Sequence, residues 1–334
     1  MMGAAKLRFG IVGAGAIGRD YGTAIAGSDE AEVVAVADSR FDAARELAER
    51  LGCEAFGSHA ELGEKSGVEA VLVCTPPNSH PEISLHFIDL RVHVLCEKPF
   101  SIEARDAARV LKRAQEQGVK ITMASKFRYV EDVIRAKQIV DSGILGEIIL
   151  LENAFASRVD MSKRWNSDPA VSGGGVLIDN GTHSLDLMRY FLGPLAEVQV
   201  VEGKRSQGLA VEETVRIFVR SVEGVMGSID LSWSLNKELD SYISVFGSRG
   251  TVHVGWKESK YRQSSSSDWV IFGHGYSKVA AFRRQTENFA RAIRGEETLL
   301  IKPQDALASV EVVAAAYESL RESHWRPIGC EVLT

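Results

Sequence analysis

Cysteine, basic excess and long apolar runs are all scarce in this chain, and each scarcity removes a class of function. The four cysteines, Cys53, Cys74, Cys96 and Cys330, form no CxxC pair or other metal-ligand spacing. Neither a zinc site nor an iron–sulfur cluster is therefore expected, and no metal ligand is assigned. Cys74 and Cys96 each close an apolar run, where cysteine serves as a small buried apolar side chain. Unpaired cysteines of this kind point to a reducing, cytoplasmic setting. Acidic residues outnumber basic ones by 45 to 39, a net charge of −6, which argues against nucleic-acid or membrane-surface partners. No apolar stretch is long enough to span a bilayer. Met1–Arg8 leads straight into a strand-like run, leaving no room for a signal peptide.

The length of 334 residues allows two domains, each with its own core. The expected division is 1–124 and 125–334. In the first part, strand-like runs at Leu7–Val12, Val33–Ala37, Ala70–Cys74, Val92–Leu95 and Lys120–Met123 alternate with helix-like stretches. Continuous apolar runs separated by helices predict a doubly wound parallel sheet, with ligands at the carboxyl ends of its strands. Beyond residue 124 the pattern changes. A helix over Val130–Ser142 leads to a strand over Glu147–Phe155 and a helix over Val176–Leu192. Strands at 197–201, 214–221, 224–233, 241–246 and 251–254 then follow without helices between them. This predicts an α/β domain with a large, mostly antiparallel open sheet and helices on one face. Two helices close the chain, Ala280–Arg294 and Asp305–Arg321, and the serine-rich Gln263–Asp268 reads as a polar loop.

Gly13-Ala14-Gly15-Ala16-Ile17-Gly18 follows the first apolar run, and Asp38 stands twenty positions after Gly18, at the end of the second. In that context Gly13 allows the tight turn, Gly15 admits a pyrophosphate to bare backbone, and Gly18 lets the next helix pack close. Asp38 can accept from the ribose hydroxyls of NAD. Ser39 and Arg40 leave NADP open, because they can grip a 2′-phosphate. Without a ligand, the same residues make a glycine turn before a helix and an exposed acid.

Three further segments carry reactive side chains. Thr75-Pro76-Pro77-Asn78-Ser79-His80 follows a strand, its prolines stiffening the exit and Asn78 or Ser79 available to cap a helix. It either borders the nicotinamide or is simply a capped helix start. Glu97-Lys98-Pro99 follows the next strand. Lys98 there can polarise a substrate hydroxyl, or it can be a solvated lysine paired with an acid. Gly173-Gly174-Gly175 leads into a helix on which Asp179 and His183 share a face, with Asp186 one turn further. A histidine is the usual proton acceptor near neutral pH and a carboxylate can orient it. The glycines would allow a ligand or cofactor to approach closely. The alternative is a structural helix start with a hydrogen-bonded histidine.

GAGAIG, CTPPNSH, CEKPF and GGGVLIDNGTHSLDLMRYFLG, in this order and followed by FGSRGT, resemble the glucose–fructose oxidoreductase, inositol dehydrogenase and rhizopine-catabolism family, Gfo/Idh/MocA. The resemblance spans nearly the whole chain. It implies a Rossmann domain followed by a domain whose sheet often joins subunits into a homodimer or homotetramer. It also implies NAD(P)-dependent hydride transfer with a secondary alcohol of a small-molecule sugar, cyclitol or sugar derivative. The family's catalytic lysine maps onto Lys98, and its aspartate and histidine onto Asp179 and His183. Two other readings stay open on the same sequence: an NAD-recycling glycosidase or lyase, and a non-catalytic NAD(P)-sensing protein.

The match has departures. Asn180 and Thr182 stand where the family commonly has aliphatic residues, and Ser125–Tyr129 differs from the usual Asn-Arg-Arg-Phe type of sequence. These leave the substrate open. Lys126, Arg128, Arg158 and Arg164, with Trp165, Asn166 and Asn180, are candidates to line a pocket for an anionic sugar, or they are surface residues.

Overall fold

The computed structural model describes residues 5–329, so Cys330 lies outside the described residues. The chain divides into two compact units. One holds residues up to Tyr129 together with Ser277–Leu307; the other holds Val130–Tyr276 and the residues from Ala308 onward. This differs from a single cut at 124/125, because a late helix returns to the first unit.

The first unit runs β1 (Leu7–Val12), α1 (Ala16–Ala26), β2 (Ala31–Ala37), α2 (Phe41–Leu51), β3 (Glu54–Phe56), α3 (His59–Lys65) and β4 (Ala70–Val73). It continues through α4 (His80–Asp89), β5 (His93–Glu97), α5 (Ala104–Gln117) and β6 (Ile121–Ala124). Its sheet has the order β3-β2-β1-β4-β5-β6, and every pairing is parallel. Strand order reverses between β1 and β4, where an open α/β sheet leaves a crevice for a ligand. The strands are apolar runs because helices cover both faces. Phe9, Ile11, Leu72 and Leu95 are fully buried there. The late helix, Lys278–Ile293, joins this core through Phe282 and Phe289. Phe282 stacks on Tyr21 with ring centroids 3.8 Å apart.

The second unit contains α6 (Glu131–Asp141), β7 (Ile148–Ala156), α7 (Pro169–Ser172), α8 (Val176–Leu192), β8 (Leu195–Glu202), β9 (Thr214–Ser221) and β10 (Met226–Ser232). Then come β11 (Ser241–Gly247), β12 (Gly250–Gly255), β13 (Ser259–Gln263) and β14 (Val270–Gly273). The helix of the first unit just described is α9; α10 (Pro303–Glu322) and β15 (Arg326–Pro327) close the chain. The sheet has nine strands in the order β14-β13-β12-β11-β7-β10-β9-β8-β15. Only β7 and β10 pair in parallel. Along β9 buried Val215, Ile217 and Val219 alternate with Arg216 and Arg220, the period-two pattern of a sheet covered on one side. The covering element is α8. It packs so closely on β10 that a Cβ on Gly227 would lie 2.7 Å from the Met188 sulfur. The serine-rich segment is the turn of a β13–β14 hairpin, which the sequence reading did not anticipate.

Candidate functional site

Each glycine of the first turn has a different spatial task. Gly13 has φ +104°, a conformation that side chains disfavour. A Cβ on Gly18 would sit 2.1 Å from the Gly13 carbonyl oxygen, so the helix can pack there only without one. A Cβ on Gly15 would meet nothing within 4 Å. Gly15 therefore presents bare backbone to open space at the start of α1. That helix start has no acidic residue in its first turn and no side-chain cap. Ala16 is exposed and Ile17 half-buried beside it. Asp38 stands close: its carboxylate accepts from the Ala14 amide at 2.8 Å and the Arg40 amide at 2.9 Å. Those bonds leave carboxylate lone pairs for further donors. Ser39 and Arg40 are exposed. Open backbone, an uncapped helix dipole and an adjacent carboxylate fit the pyrophosphate and ribose of a dinucleotide.

The loops after β4 and β5 are tied to each other. The His80 ring is fully buried, its Nδ1 2.8 Å from the Pro99 carbonyl oxygen and its Nε2 2.8 Å from that of Thr75. Only an imidazolium can donate to both, yet burial holds the His80 pKa below the usual range against the two carbonyls, and Lys98 adds to the lowering. With its ring engaged this way, His80 ties the loop after β4 to the loop after β5. Neither Asn78 nor Ser79 caps α4 with its side chain, contrary to expectation. The Ser79 hydroxyl instead bonds back to Thr75 Oγ1 at 2.8 Å and the Pro76 carbonyl at 2.7 Å. Thr75 and Pro76 are half-buried and Asn78 is exposed.

Glu97 ends β5 and is buried. Its carboxylate accepts from the Lys98 amide at 3.0 Å, and the Tyr21 hydroxyl lies 3.2 Å from it. That hydroxyl is also 2.6 Å from the side chain of buried Gln285 on α9. Burial raises the Glu97 pKa, opposed by the charges of Lys98 and Lys126. The result is a half-buried Lys98 at a strand's carboxyl end, with its backbone fixed from below and a cis bond to Pro99. Burial also pushes the Cys74 and Cys96 thiols up, which makes both poor nucleophiles.

In the second unit, Asp179 lies in the first turn of α8 and is half-buried, while His183 is buried one turn later. Two of the three glycines before this helix, Gly174 and Gly175, make room for protein. A Cβ on Gly174 would lie 1.8 Å from the Tyr317 hydroxyl, and one on Gly175 2.1 Å from the Glu212 carbonyl oxygen. Glu212 Oε1 accepts from the Gly175 amide at 2.9 Å, the Leu177 amide at 3.0 Å and the Tyr317 hydroxyl at 2.8 Å. The expected ligand approach is thus corrected: an internal carboxylate already satisfies this helix start. Burial raises the pKa of Glu212, and these hydrogen bonds pull against it.

The candidate pocket residues separate. Arg128 is buried, and its guanidinium lies 3.4 Å from the half-buried Asp305 carboxylate. Lys126 is half-buried, its ammonium 5.3 Å from the Phe127 ring centroid. Arg158, Arg164 and Trp165 are exposed, and Asn166 and Asn180 half-buried. Tyr21, Gln285, Glu212 and Tyr317 escaped the sequence reading, since each acquires meaning only from a partner distant in the chain. Adjacent Glu212-Glu213 just before an apolar strand was the available signal. Among the described residues no cluster of side chains is arranged to hold a metal ion, and no helix is long and apolar enough to cross a membrane.

Comparison with known proteins bears on the family and the fold. Residues 7–125 match the family model for the oxidoreductase family with an NAD-binding Rossmann fold. Residues 133–253 match the Gfo/Idh/MocA C-terminal domain. An inositol 2-dehydrogenase of Rhizobium meliloti strain 1021 is 26% identical over 95% of this chain and 97% of that protein. A myo-inositol 2-dehydrogenase of Thermotoga maritima is 29% identical over 74% of each. A levoglucosan dehydrogenase, solved with NADH and levoglucosan, shares the fold with a TM-score of 0.88 at 19% identity, over 97% of this chain and 100% of the other. The chain belongs to the Gfo/Idh/MocA family of NAD-binding oxidoreductases.

Proposed function

We propose that the protein oxidises a secondary alcohol on a sugar, cyclitol or sugar derivative, with Lys98, Asp179 and His183 as its chemical groups. The observation that carries this reading is Lys98 at the carboxyl end of β5, one strand from the strand-order reversal, with its backbone held by buried Glu97. The inositol named in the two relatives makes myo-inositol the first probe.

In this reading Gly15, the amides at the start of α1 and Asp38 hold NAD, which supplies the hydride acceptor when bound. Lys98 donates to the substrate hydroxyl and stabilises the negative charge that grows on its oxygen. His183 takes the hydroxyl proton, and Asp179 orients the imidazole and steadies its charged form. Asp38 also sets cofactor choice, since a carboxylate there repels the 2′-phosphate of NADP. Exposed Val201 and Met226 on the open face of β8 and β10 support pairing of this sheet with a second copy, giving a dimer or tetramer. A cytoplasmic setting is supported by the free thiols of Cys53, Cys74 and Cys96.

The test is a panel of cyclitols, sugars and uronates, beginning with myo-inositol, followed by the absorbance of reduced nicotinamide. The expected result is NADH formation with at least one ring alcohol, loss of about a hundredfold or more in turnover in Lys98→Ala, and little change in NAD affinity. Tight NAD binding with no NADH from any member would overturn the reading in favour of an NAD-recycling or sensing protein. Near-native turnover in Lys98→Ala would remove the lysine from the chemistry.

A further inference from the structure

Glu212 and Glu213 are neighbours at the entrance to β9, and both are buried. Their carboxylates serve different elements. Glu212 takes the Gly175 and Leu177 amides and the Tyr317 hydroxyl on Oε1, while its backbone carbonyl accepts from the Val176 amide at 2.9 Å. Three successive amides at the start of α8 therefore end on one residue. Those are the amides that a helix cannot satisfy for itself, and a carboxylate there also meets the positive end of the helix dipole.

Glu213 faces the other way. It accepts from the Ser206 amide at 2.8 Å, the Gln207 amide at 2.9 Å and the Ser234 hydroxyl at 2.7 Å. Burial opposes its ionisation, but these bonds and one from the Leu209 amide pull its pKa down to about 2. The segment it holds is itself a clamp. Gln207 Nε2 donates to the Val159 carbonyl at 3.0 Å, and Gln207 Oε1 accepts from the Met161 amide at 3.0 Å. Val159 and Met161 lie between Arg158 and Arg164, on the segment that also carries Trp165 and Asn166.

We propose that Glu212 and Glu213 are a divided positioning pair. Glu212 sets the helix of Asp179 and His183, and Glu213 sets the loop of candidate substrate contacts through Gln207. Turnover then depends on one neighbour and substrate affinity on the other. The kinetic half of this inference rests on the function proposed above; the anchoring half does not.

Hydrogen–deuterium exchange decides the anchoring. Glu212→Ala should speed exchange in peptides covering 175–183 and leave those covering 158–166 near wild type, and Glu213→Ala should do the reverse. Steady-state kinetics on the best substrate of the panel decides the division. Glu212→Ala should lower kcat by about tenfold or more with KM changed by less than about threefold, and Glu213→Ala should raise KM by about tenfold with a smaller change in kcat. Glu212→Gln keeps one acceptor oxygen and should restore most of kcat. Where an alanine variant fails to fold, Tyr317→Phe against Glu213→Gln gives the same contrast at smaller amplitude. Acceleration of both peptides by either variant, or one shared kinetic defect, would overturn the division. A wild type inert toward every member of the panel, or a His183→Asn variant as active as wild type, counts against the proposed function, and the exchange result then decides the pair alone.

Discussion

Gly15 and Gly18 lack the same atom for opposite reasons, and the difference can be measured. Space beyond Gly15 is open, whereas a Cβ at Gly18 would overlap the Gly13 carbonyl. Gly15→Ala should leave the melting temperature within about a degree of wild type, as an unopposed surface substitution does, while weakening NAD binding where a phosphate must approach backbone. Gly18→Ala should lower the melting temperature by several degrees, about 1–3 kcal/mol of overpacking, before any cofactor is added. Titrating NAD against both variants and melting both apo proteins checks the pair; equal stabilities would show that Gly18 is not a packing glycine. The motif and its acid were legible because their spacing is local. Arg128 was not. Its partner, Asp305, lies 177 residues away, and no local pattern marks a cation as one half of such a pair. The glycines before α8 were read for a ligand for the same reason: the groups that fill the space at Gly174 and Gly175, Tyr317 and Glu212, come from elsewhere in the chain.

At the scale of elements, period and run length located most strands and helices. The short strand β3 and the helix α3 escaped because three and seven residues give too little periodicity to stand out. The helix α9 was found, but not its allegiance, which depends on what its apolar face meets. Phe282 and Phe289 are fully buried in the core that also holds Phe9 and Tyr21. Gln285, between them, reaches the Tyr21 hydroxyl above Glu97. Phe282→Ala should therefore destabilise the cofactor-binding unit by about 3–5 kcal/mol, as removal of a packed aromatic side chain does. NAD affinity should weaken with it, although the residue lies far along the chain from the glycine motif. Calorimetry with and without NAD reads both effects. A variant with native stability and native NAD affinity would detach α9 from that unit.

For the molecule as a whole, parallel strand order, a glycine turn with an open face and a lysine at a strand end converge on nicotinamide chemistry, and the family match agrees. The fold class followed from the alternation of runs, and the oxidoreductase identity from motifs. The substrate did not follow, because the candidate contacts, from buried Arg128 through half-buried Lys126, Asn166 and Asn180 to exposed Arg158, Arg164 and Trp165, are scattered and share no local pattern. The acid–base assignment is the central claim. It is tested most directly by the pH dependence of kcat for wild type and His183→Asn, measured on the best substrate of the panel at saturating NAD. A histidine that accepts the hydroxyl proton must be neutral, so the wild-type rate should fall as acid protonates it. His183→Asn should retain NAD binding, turn over slowly and show no acidic limb. An acidic limb of unchanged shape in His183→Asn would contradict the account.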